Sequence, residues 1–316
     1  MIIEVSQCVK RYKEVLALDH FDFTVKEGEI VGLLGPNGSG KTTLINCILA
    51  LLKYDQGEIK LFGQEMRPDA WDIKARIGVV PQELALMENL TVRENIDYFC
   101  GLYVDDKKRR KGLIDEAIHV TGLEGYEKFY PRKLSGGLKR RLNIACGIAH
   151  KPELLFLDEP TVAVDAQSRN FILEQVQKMN AEGTTVVYTT HYLEEAQQIC
   201  SRIIIMDKGK NLVSGSTEEL LSSIETSEKI HLSLQHNSEA FREGISQLPQ
   251  LLEFSEDKDP GSGETRYTLK FAKSNNNLLH LLHYIQEQGL EYTQLYSERP
   301  TLNDVFLELT GKELRD

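Results

Sequence analysis

The stretch Gly35-Pro36-Asn37-Gly38-Ser39-Gly40-Lys41-Thr42 decides the fold, because it matches G-x-x-x-x-G-K-[ST] at every defined position. An apolar run of strand length, 30–34, precedes it, and the sequence 42–49 is typical of a buried helix. Glycines let backbone N–H groups curve around an anion, and a helix N-terminus adds partial positive charge. We therefore expect this stretch and Thr43 to bind the phosphates of a nucleotide. Lys41 is expected on the β- and γ-phosphates and Thr42 on Mg²⁺.

Length and composition are those of a globular protein with room for two domains. The chain has 316 residues, of which 27% are charged and 41% hydrophobic. No apolar run approaches the length of about 20 residues that a membrane span needs, and the N-terminus lacks a signal-peptide pattern. The five cysteines form no C-x-x-C pair, so neither a disulfide framework nor a zinc site is indicated. We expect a cytoplasmic protein, and the net charge of −11 argues against a nucleic-acid partner.

Two adjacent carboxylates, Asp158 and Glu159, follow the apolar run 154–157. In a parallel sheet, ligands bind beyond the carboxyl ends of the strands. Asp158 is therefore expected to hold Mg²⁺, and Glu159 to orient or deprotonate a water molecule. His191 follows another strand of buried type, 185–189, and is expected at the same end of the sheet.

Three further features have an ordinary structural interpretation beside a functional one. Tyr12 lies upstream of the phosphate loop, where its ring can stack on adenine, although a lone tyrosine is more often a surface or core residue. Gln82 follows a strand and is either a contact for Mg²⁺ and the attacking water or a loop amide. The run Ser135-Gly136-Gly137 opens a helix, either as an anion site or as an N-cap with a glycine turn.

Together, these elements occur in the order found in ATP-binding cassette (ABC) ATPases, and the resemblance covers residues 1 to about 220. It implies that Tyr12 stacks on adenine and that Gln82 is the Q-loop glutamine. It implies that Ser135, Gly136 and Gly137, after Leu134, form the signature that caps the ATP of a partner subunit. It also implies that Glu159 is the catalytic base, His191 the contact to the γ-phosphate, and Asp165 an aspartate at the dimer seam.

The resemblance implies an α/β fold, the P-loop NTPase cassette, with a parallel core sheet, an antiparallel β-subdomain and a helical subdomain over about 83–145. We place this ATPase domain at 1–224. From 225 to 316 the pattern βαββαβ predicts a small α+β accessory domain of ferredoxin-like type. Within it we predict a hairpin or flexible loop over 257–263. We also predict an amphipathic helix from Thr301 to Gly311, and a helix with these residues inward: Leu278, Leu279, Leu281, Leu282 and Ile285.

A narrower resemblance indicates an exporter. The run Leu138-Lys139-Arg140-Arg141-Leu142 and the tail 299–311 are similar to the ATPases of drug, antibiotic and sodium exporters. This implies an ATP-binding and ATP-hydrolysing subunit that powers transport through a separate membrane permease. The resemblance also implies a head-to-tail dimer with a second copy or a paralogue, on the cytoplasmic face of the membrane. The alternatives are a non-transport ABC ATPase, whose coiled coils, zinc modules or second cassette are not seen here, and a regulatory module whose tail senses a small ligand.

Two residues depart from the family pattern. Ala163 and Ala166 stand where the related exporters usually have Gly and Pro. Because alanine lacks the freedom of glycine at positive φ, Ala163 is expected to change the detailed geometry of the dimer seam. The transported substrate is not indicated, since its contacts lie in the permease. For the tail, support of the subunit pair is favoured over ligand sensing.

Overall fold

The computed structural model describes residues 1–235, 239–258 and 264–311. These form two compact units, Met1–Ser216 and the described residues from Thr217 onward. The first unit ends before the boundary predicted after residue 224, because the helix Thr217–Ser222 groups with the second unit. Within the described ranges, no helix is long and apolar enough to cross a membrane.

The first unit alternates strands and helices in the manner of a doubly wound α/β fold. Its strands are β1 Ile3–Tyr12, β2 Val15–Val25, β3 Ile30–Leu34, β4 Gln56–Leu61, β5 Gln64–Glu65, β6 Ile77–Val80, β7 Leu154–Asp158, β8 Thr185–Thr190, β9 Arg202–Asp207 and β10 Lys210–Gly215. Its α-helices are α1 Lys41–Ile48, α2 Trp71–Lys74, α3 Val92–Gly101, α4 Lys107–Val120, α5 Gly136–Ile148, α6 Ala166–Ala181 and α7 Leu193–Ile199.

The core of this unit is a six-stranded sheet in the order β10-β9-β3-β8-β7-β6. Its strands are parallel except for β10, which pairs antiparallel with β9 at the edge. Every residue of β3, β7 and β8 is buried, which explains why these strands are apolar runs without alternation. A second sheet, β2-β1-β4-β5, is antiparallel, and β2 alternates in burial over its second half, with Phe21, Phe23 and Val25 inward.

The parallel strands place distant motifs at one edge of the sheet. Their register pairs Leu34 with Thr190, and Asp158 with Thr189. The phosphate loop follows β3, Glu159 follows β7, and His191 follows β8 directly. The predicted functional residues therefore meet where ligands bind in open α/β sheets.

Helices α3, α4 and the first part of α5 form the helical subdomain that the sequence predicts. Helix α3 begins at a capping box, in which Thr91 and Glu94 each satisfy a backbone N–H of the other. Apolar side chains from these helices share a core that includes Ile96, Ile118 and Leu142. This subdomain carries the signature helix α5.

The second unit has the element order βαββαβ between two flanking helices. Its elements are α8 Thr217–Ser222, β11 Glu228–Leu234, α9 Glu239–Ile245, β12 Leu251–Lys258, β13 Thr265–Phe271, α10 Asn277–Glu287, β14 Tyr292–Glu298 and α11 Leu302–Thr310. The strands form one antiparallel sheet in the order β12-β13-β11-β14. The loop predicted for 257–263 lies, from residue 259 on, outside the described residues.

One predicted core position in this unit is wrong. Leu279 of α10 is 64% exposed, whereas Leu281 and Ile285 are buried in the core of the unit. Five leucine and isoleucine positions span more of the helix circumference than one packed face can cover. Leu278 packs partly against the core, so the buried stripe is narrower than predicted.

Helix α11 begins and ends where the sequence predicts. Thr301 and Asp304 form a capping box, and Gly311 ends the helix at a left-handed φ of 67°. The side chains of Leu302, Val305 and Phe306 are buried, while Leu309 is exposed. The apolar stripe of this helix is thus mostly covered in the single chain.

Candidate functional site

The phosphate loop connects β3 to α1 and depends on glycine at two positions. Gly38 and Gly40 have φ of 80° and 110°, in the region that L side chains rarely adopt. A Cβ on Gly40 would also lie 2.5 Å from the carbonyl oxygen of Ala17 on β2. The loop is therefore held against the antiparallel sheet by a contact that only glycine permits.

The ammonium group of Lys41 is enclosed by the loop that precedes it. Its Nζ donates to the carbonyl of Gly35 at 2.7 Å and lies 3.5 Å from Oε1 of Glu159. Burial lowers the pKa of Lys41, and the charge of Glu159 opposes this shift. The hydroxyl of Ser39 nearby is buried and has no hydrogen-bond partner among the described residues. A phosphate group would supply the acceptor that this hydroxyl lacks and a counter-charge for Lys41.

Asp158 is positioned by two hydroxyl groups. Thr42 Oγ1 donates to Asp158 Oδ2 at 3.0 Å, and Thr189 Oγ1 donates to Asp158 Oδ1 at 2.6 Å. The same Thr189 hydroxyl accepts the backbone N–H of Glu159 at 2.9 Å. Thr189 thus orients both acidic residues, although sequence reasoning did not select it. A polar residue near the end of an apolar strand was the available signal.

Glu159 occupies a strained backbone position in the middle of the charged groups. Its φ is 48°, a left-handed value that costs a non-glycine residue about 1–2 kcal/mol. Its side chain is buried, with Oε1 near Lys41 and Oε2 at 3.2 Å from Nδ1 of His191. Strain of this kind persists where the surroundings over-determine it, often at active sites.

A cavity of about 460 Å³ adjoins the phosphate loop and contains most of the predicted contacts. Its lining includes Tyr12, Gln82 and Glu159 together with the loop from Asn37 to Thr43. Tyr12 is 46% exposed, and Nζ of Lys10 lies over its ring at 5.3 Å from the centroid, so a flat ligand would stack on the opposite face. Sequence reasoning missed Lys208, which also lines the cavity.

The backbone beside Gln82 is held by a buried arginine of the signature helix. Arg140 Nη1 donates to the carbonyl oxygens of Gln82 at 2.8 Å and Pro81 at 3.3 Å. Burial lowers the pKa of this guanidinium. Arg140 thereby connects the Q-loop to α5. Sequence reasoning quoted this residue only as part of the exporter resemblance.

The signature residues lie outside the cavity of the phosphate loop. Ser135 is the N-cap of α5 and accepts the N–H of Leu138 at 3.3 Å, and Gly136 is exposed. Gly137 is buried, and a Cβ there would lie 2.2 Å from Ser168 Oγ. Gly137 is therefore a packing position between α5 and α6 within this chain.

Asp165 caps helix α6 next to the signature. Its Oδ1 accepts the N–H of Ser168 at 2.8 Å, and these hydrogen bonds lower the pKa of Asp165. A Cβ on Gly137 would lie 3.2 Å from Asp165 Oδ2. The chain thus brings Ser135, Gly137 and Asp165 together at a second surface, away from its own phosphate loop cavity.

The donor set fits Mg²⁺ bound together with a nucleotide. The hydroxyl of Thr42 and the carboxylate of Asp158 are oxygen ligands, as this ion prefers. The described residues hold no group of three or more His, Cys, Asp or Glu side chains that could bind a metal by themselves. Phosphate oxygens and water would therefore complete the coordination.

Comparison with known proteins shows similarity along the whole chain. The ABC transporter family matches residues 18–162. The linearmycin resistance ATP-binding protein LnrL of Bacillus subtilis is 36% identical over 315 residues, which is 100% of both chains. The Nod factor export ATP-binding protein I of Ralstonia nicotianae is 34% identical over 100% of this chain and 95% of the relative.

Solved structures resemble the greater part of the chain. One is a dimeric ATP-binding cassette in a post-hydrolysis state bound to ADP and Pi, with 29% identity and a TM-score of 0.63. The match covers 68% of this chain and 98% of that structure. Another, an ATP binding subunit of an ABC transporter, has 25% identity, a TM-score of 0.65, and coverage of 71% and 93%.

Proposed function

The chain belongs to the ABC transporter family, as an ATP-binding and ATP-hydrolysing subunit of the exporter class, and we propose that the cavity beside its phosphate loop is the ATP site. One observation carries this assignment. Glu159 lies between Lys41 and His191, at 3.5 Å and 3.2 Å, on the wall of the cavity that the phosphate loop also lines. A base, a cation and a histidine thus converge where the γ-phosphate is expected.

Each catalytic residue has a role that follows from its position. Glu159 accepts a proton from a water molecule whose oxygen attacks the γ-phosphorus, and the bond to ADP breaks. Lys41 stabilises negative charge on the phosphate oxygens, and His191 contacts the γ-phosphate beside Glu159. Gln82 lines the same cavity, where it would contact Mg²⁺ and the attacking water.

Binding of the nucleotide uses separate groups for base, phosphates and metal. Tyr12 stacks on adenine at the open side of the cavity, and the loop from Gly35 to Thr43 surrounds the phosphates. Thr42 and Asp158 would hold Mg²⁺, which would neutralise charge on the phosphate oxygens. The buried hydroxyl of Ser39 donates to a phosphate oxygen.

A second subunit completes the site in this proposal. Ser135 and Gly136 of one chain, together with the backbone of the buried Gly137, face the ATP bound by the phosphate loop of the other, and Asp165 lies at the seam. Support comes from the separation of the two surfaces within one chain and from the dimeric cassettes among the similar structures. The partner is a second copy or a paralogous subunit.

The proposed membrane partner is a permease that docks on the helical subdomain, so that the ATPase lies on the cytoplasmic face. Large apolar side chains are exposed in the loop after Gln82, at Leu84 and Met87, and on α3 or directly after it, at Tyr98, Leu102 and Tyr103. A contiguous exposed apolar patch is typical of an interaction site, and we propose that these side chains form one. The relatives named for linearmycin resistance and Nod factor export favour an organic cargo over an ion.

For the second unit we propose support of the subunit pair, with ligand sensing as the alternative. Helix α11 offers little apolar surface for this, because its stripe is mostly buried. The edge strand β14 offers more exposed aromatic surface, since Tyr292 and Tyr296 are 49% and 53% exposed. An edge strand with exposed aromatic residues is suited to a protein contact.

The test of the site is the substitution Glu159→Gln, which keeps the shape of the side chain but removes the base. We expect ATP turnover to fall at least about 100-fold, the size of a general-base contribution, while ATP binding persists. Turnover with MgATP and titration with a fluorescent ATP analogue measure the two properties. Glu174→Gln, an exposed position on α6, is the matched control. Turnover of Glu159→Gln at the wild-type rate would remove Glu159 from the mechanism.

A further inference from the structure

A buried carboxylate behind the site has hydroxyl partners from the loop after β7 and from strand β8. Glu195 of α7 is 2% exposed. Three hydroxyl groups donate to it, from Thr161 at 2.7 Å, Tyr188 at 2.8 Å and Thr190 at 3.0 Å. A buried carboxylate is stable only when it is well hydrogen-bonded. Loss of one of these hydrogen bonds is therefore expected to weaken the whole network.

The hydroxyl of Thr190 controls the backbone on both sides of His191. It donates to Glu195 Oε2 and accepts the N–H of Tyr192 at 2.9 Å. Thr190 precedes His191 and Tyr192 follows it. The tight turn that presents the histidine is therefore anchored to Glu195 through one hydroxyl group.

The loop that carries Glu159 is anchored to the same carboxylate. Thr161, two positions after Glu159, is fully buried and lies 2.7 Å and 2.8 Å from the two carboxylate oxygens of Glu195. Tyr188 of β8 adds a third donor. Burial and the charge of Glu195 raise the pKa of Tyr188, which keeps its phenol protonated as a donor at neutral pH.

Helix α6 is connected to this network by Arg169. Its Nε lies 3.3 Å from Oε1 of Glu195, and its guanidinium is 4.6 Å from the ring centroid of Tyr192. The ring of Tyr192 is in turn 4.2 Å from the ring of His191. Because Asp165 caps the start of α6, a continuous series of contacts runs from the proposed dimer seam to His191.

We propose that Glu195 is a positioning residue for ATP hydrolysis, which holds the Glu159 loop and the His191 turn at a fixed separation and ties both to helix α6. The inference rests on the roles proposed above for Glu159 and His191. Glu195 touches neither nucleotide nor water in this arrangement. It acts by keeping the 3.2 Å contact between the two catalytic side chains while α6 meets the partner subunit.

A purely structural role for Glu195 makes a different prediction. It would lower stability and the amount of folded protein, but the turnover of each folded molecule would stay the same. A positioning role lowers kcat of the folded protein and leaves nucleotide affinity nearly unchanged, because Lys41, Thr42 and Asp158 do not contact Glu195 among the described hydrogen bonds and ion pairs. Misplacement of catalytic groups by about 1 Å can cost about 100-fold in rate.

The first experiment measures kcat, KM and ATP affinity of Glu195→Ala, with folded protein quantified by calorimetry. We expect kcat per folded molecule to fall about 10- to 100-fold, with ATP affinity within about threefold of wild type. Glu194→Ala is the matched control, since this neighbouring glutamate on α7 is exposed. An unchanged kcat of the folded variant would overturn the inference.

The second experiment uses Thr190, where an isosteric change removes only the hydroxyl. Thr190→Val should lower kcat as Glu195→Ala does, and Thr190→Ser should restore it. If both residues act through one anchor, the double variant Glu195→Ala/Thr190→Val should be no slower than Glu195→Ala alone. Multiplied effects, or a Thr190→Ser variant as slow as Thr190→Val, would contradict the anchor.

A third measurement separates this inference from the function on which it rests. His191→Ala should lower turnover if His191 has the proposed role. Full turnover of His191→Ala would refute that role, whatever Glu195→Ala does. Low turnover of His191→Ala together with wild-type kcat in Glu195→Ala would refute the positioning inference alone.

Discussion

The molecule has two surfaces that we expect to meet a nucleotide. The phosphate-loop surface consists of residues 35–43 with Asp158 and Glu159, and the signature surface of residues 135–137 with Asp165. They differ in how many of the groups around a nucleotide a single chain brings together. In the first, Lys41, Asp158 and Glu159 are each no more than 6% exposed and contact one another or nearby hydroxyl groups. In the second, Ser135, Gly136 and Asp165 are exposed. The single chain finishes one half of a nucleotide site and leaves the other half open to a partner.

The physical reason is that the first surface buries charged groups, whereas the second exposes backbone N–H groups to water. A buried ammonium and two buried carboxylates are stable only with partners in place, so their neighbours must come from the same chain. The N–H groups at the start of α5 are solvated until an anion arrives, so this helix end is stable when exposed. Three predictions test the contrast.

The largest effect is expected for Lys41→Ala on the phosphate-loop surface. Removal of the ammonium leaves Glu159 buried without the cation at 3.5 Å and leaves the phosphates without their main positive charge. We expect ATP affinity to fall at least about 100-fold, equal to about 2.7 kcal/mol. Titration with a fluorescent ATP analogue measures it, and Lys178→Ala, an exposed position on α6, is the control. Affinity within threefold of wild type would contradict the assignment of this surface.

The phosphate-loop surface was largely predictable from the sequence, and the comparisons confirm the ABC cassette fold and the ATPase function. Local motifs identify it, because the loop, the acidic pair and His191 each follow an apolar strand whose end lies at the same sheet edge. Contacts between residues far apart in sequence were not predictable. Thr161 and Tyr188 meet at Glu195, a residue that in the sequence is one more glutamate on a helix.

An intermediate effect is expected for Gly136→Asp on the signature surface. A Cβ on Gly136 would have only the carbonyl of Ala163 within 4 Å, at 3.7 Å, so the side chain fits and folding is preserved. The added carboxylate would repel the phosphates of the partner's ATP. We expect ATP turnover to fall at least about tenfold, because repulsion of about 1.4 kcal/mol between like charges corresponds to a factor of ten. The ATP affinity of the single subunit should be unchanged.

The control for this variant is Gly112→Asp, an exposed glycine of α4 that has open space around its Cβ position. Turnover and dimer formation with MgATP are measured for both, the latter by analytical ultracentrifugation. If Gly136→Asp hydrolyses ATP and dimerises as the control does, the signature surface does not meet a nucleotide.

Sequence reasoning treated the three signature residues alike, and the structure separates them. Gly136 is open, whereas Gly137 faces Ser168 of its own chain at a distance that excludes a side chain. The pattern Ser-Gly-Gly does not distinguish the two glycines, because packing of α5 against α6 depends on a residue 31 positions away in the chain. The same limit applies to Leu279, whose exposure depends on how α10 lies on its sheet.

The smallest effect concerns Ala163, beside the signature surface. Its φ is 60°, at the third position of a turn in which Val164 N–H donates to Thr161 O at 3.4 Å. The resembled exporters usually have glycine at this position, and left-handed φ costs alanine about 1–2 kcal/mol. Replacement by glycine relieves this strain, but glycine also raises the entropy of the unfolded chain, which opposes folding by about 0.4–1 kcal/mol. The net expectation for Ala163→Gly is that it stabilises the first unit by about 0.5–1 kcal/mol. Ala166→Gly is the opposite control: this residue is the first of α6, where glycine should destabilise by about 0.5–1 kcal/mol. Urea unfolding of the full chain, followed through the transition of the first unit, should therefore shift in opposite directions for the two variants. A shift to lower urea for both would show that the turn at Ala163 carries no strain that glycine relieves.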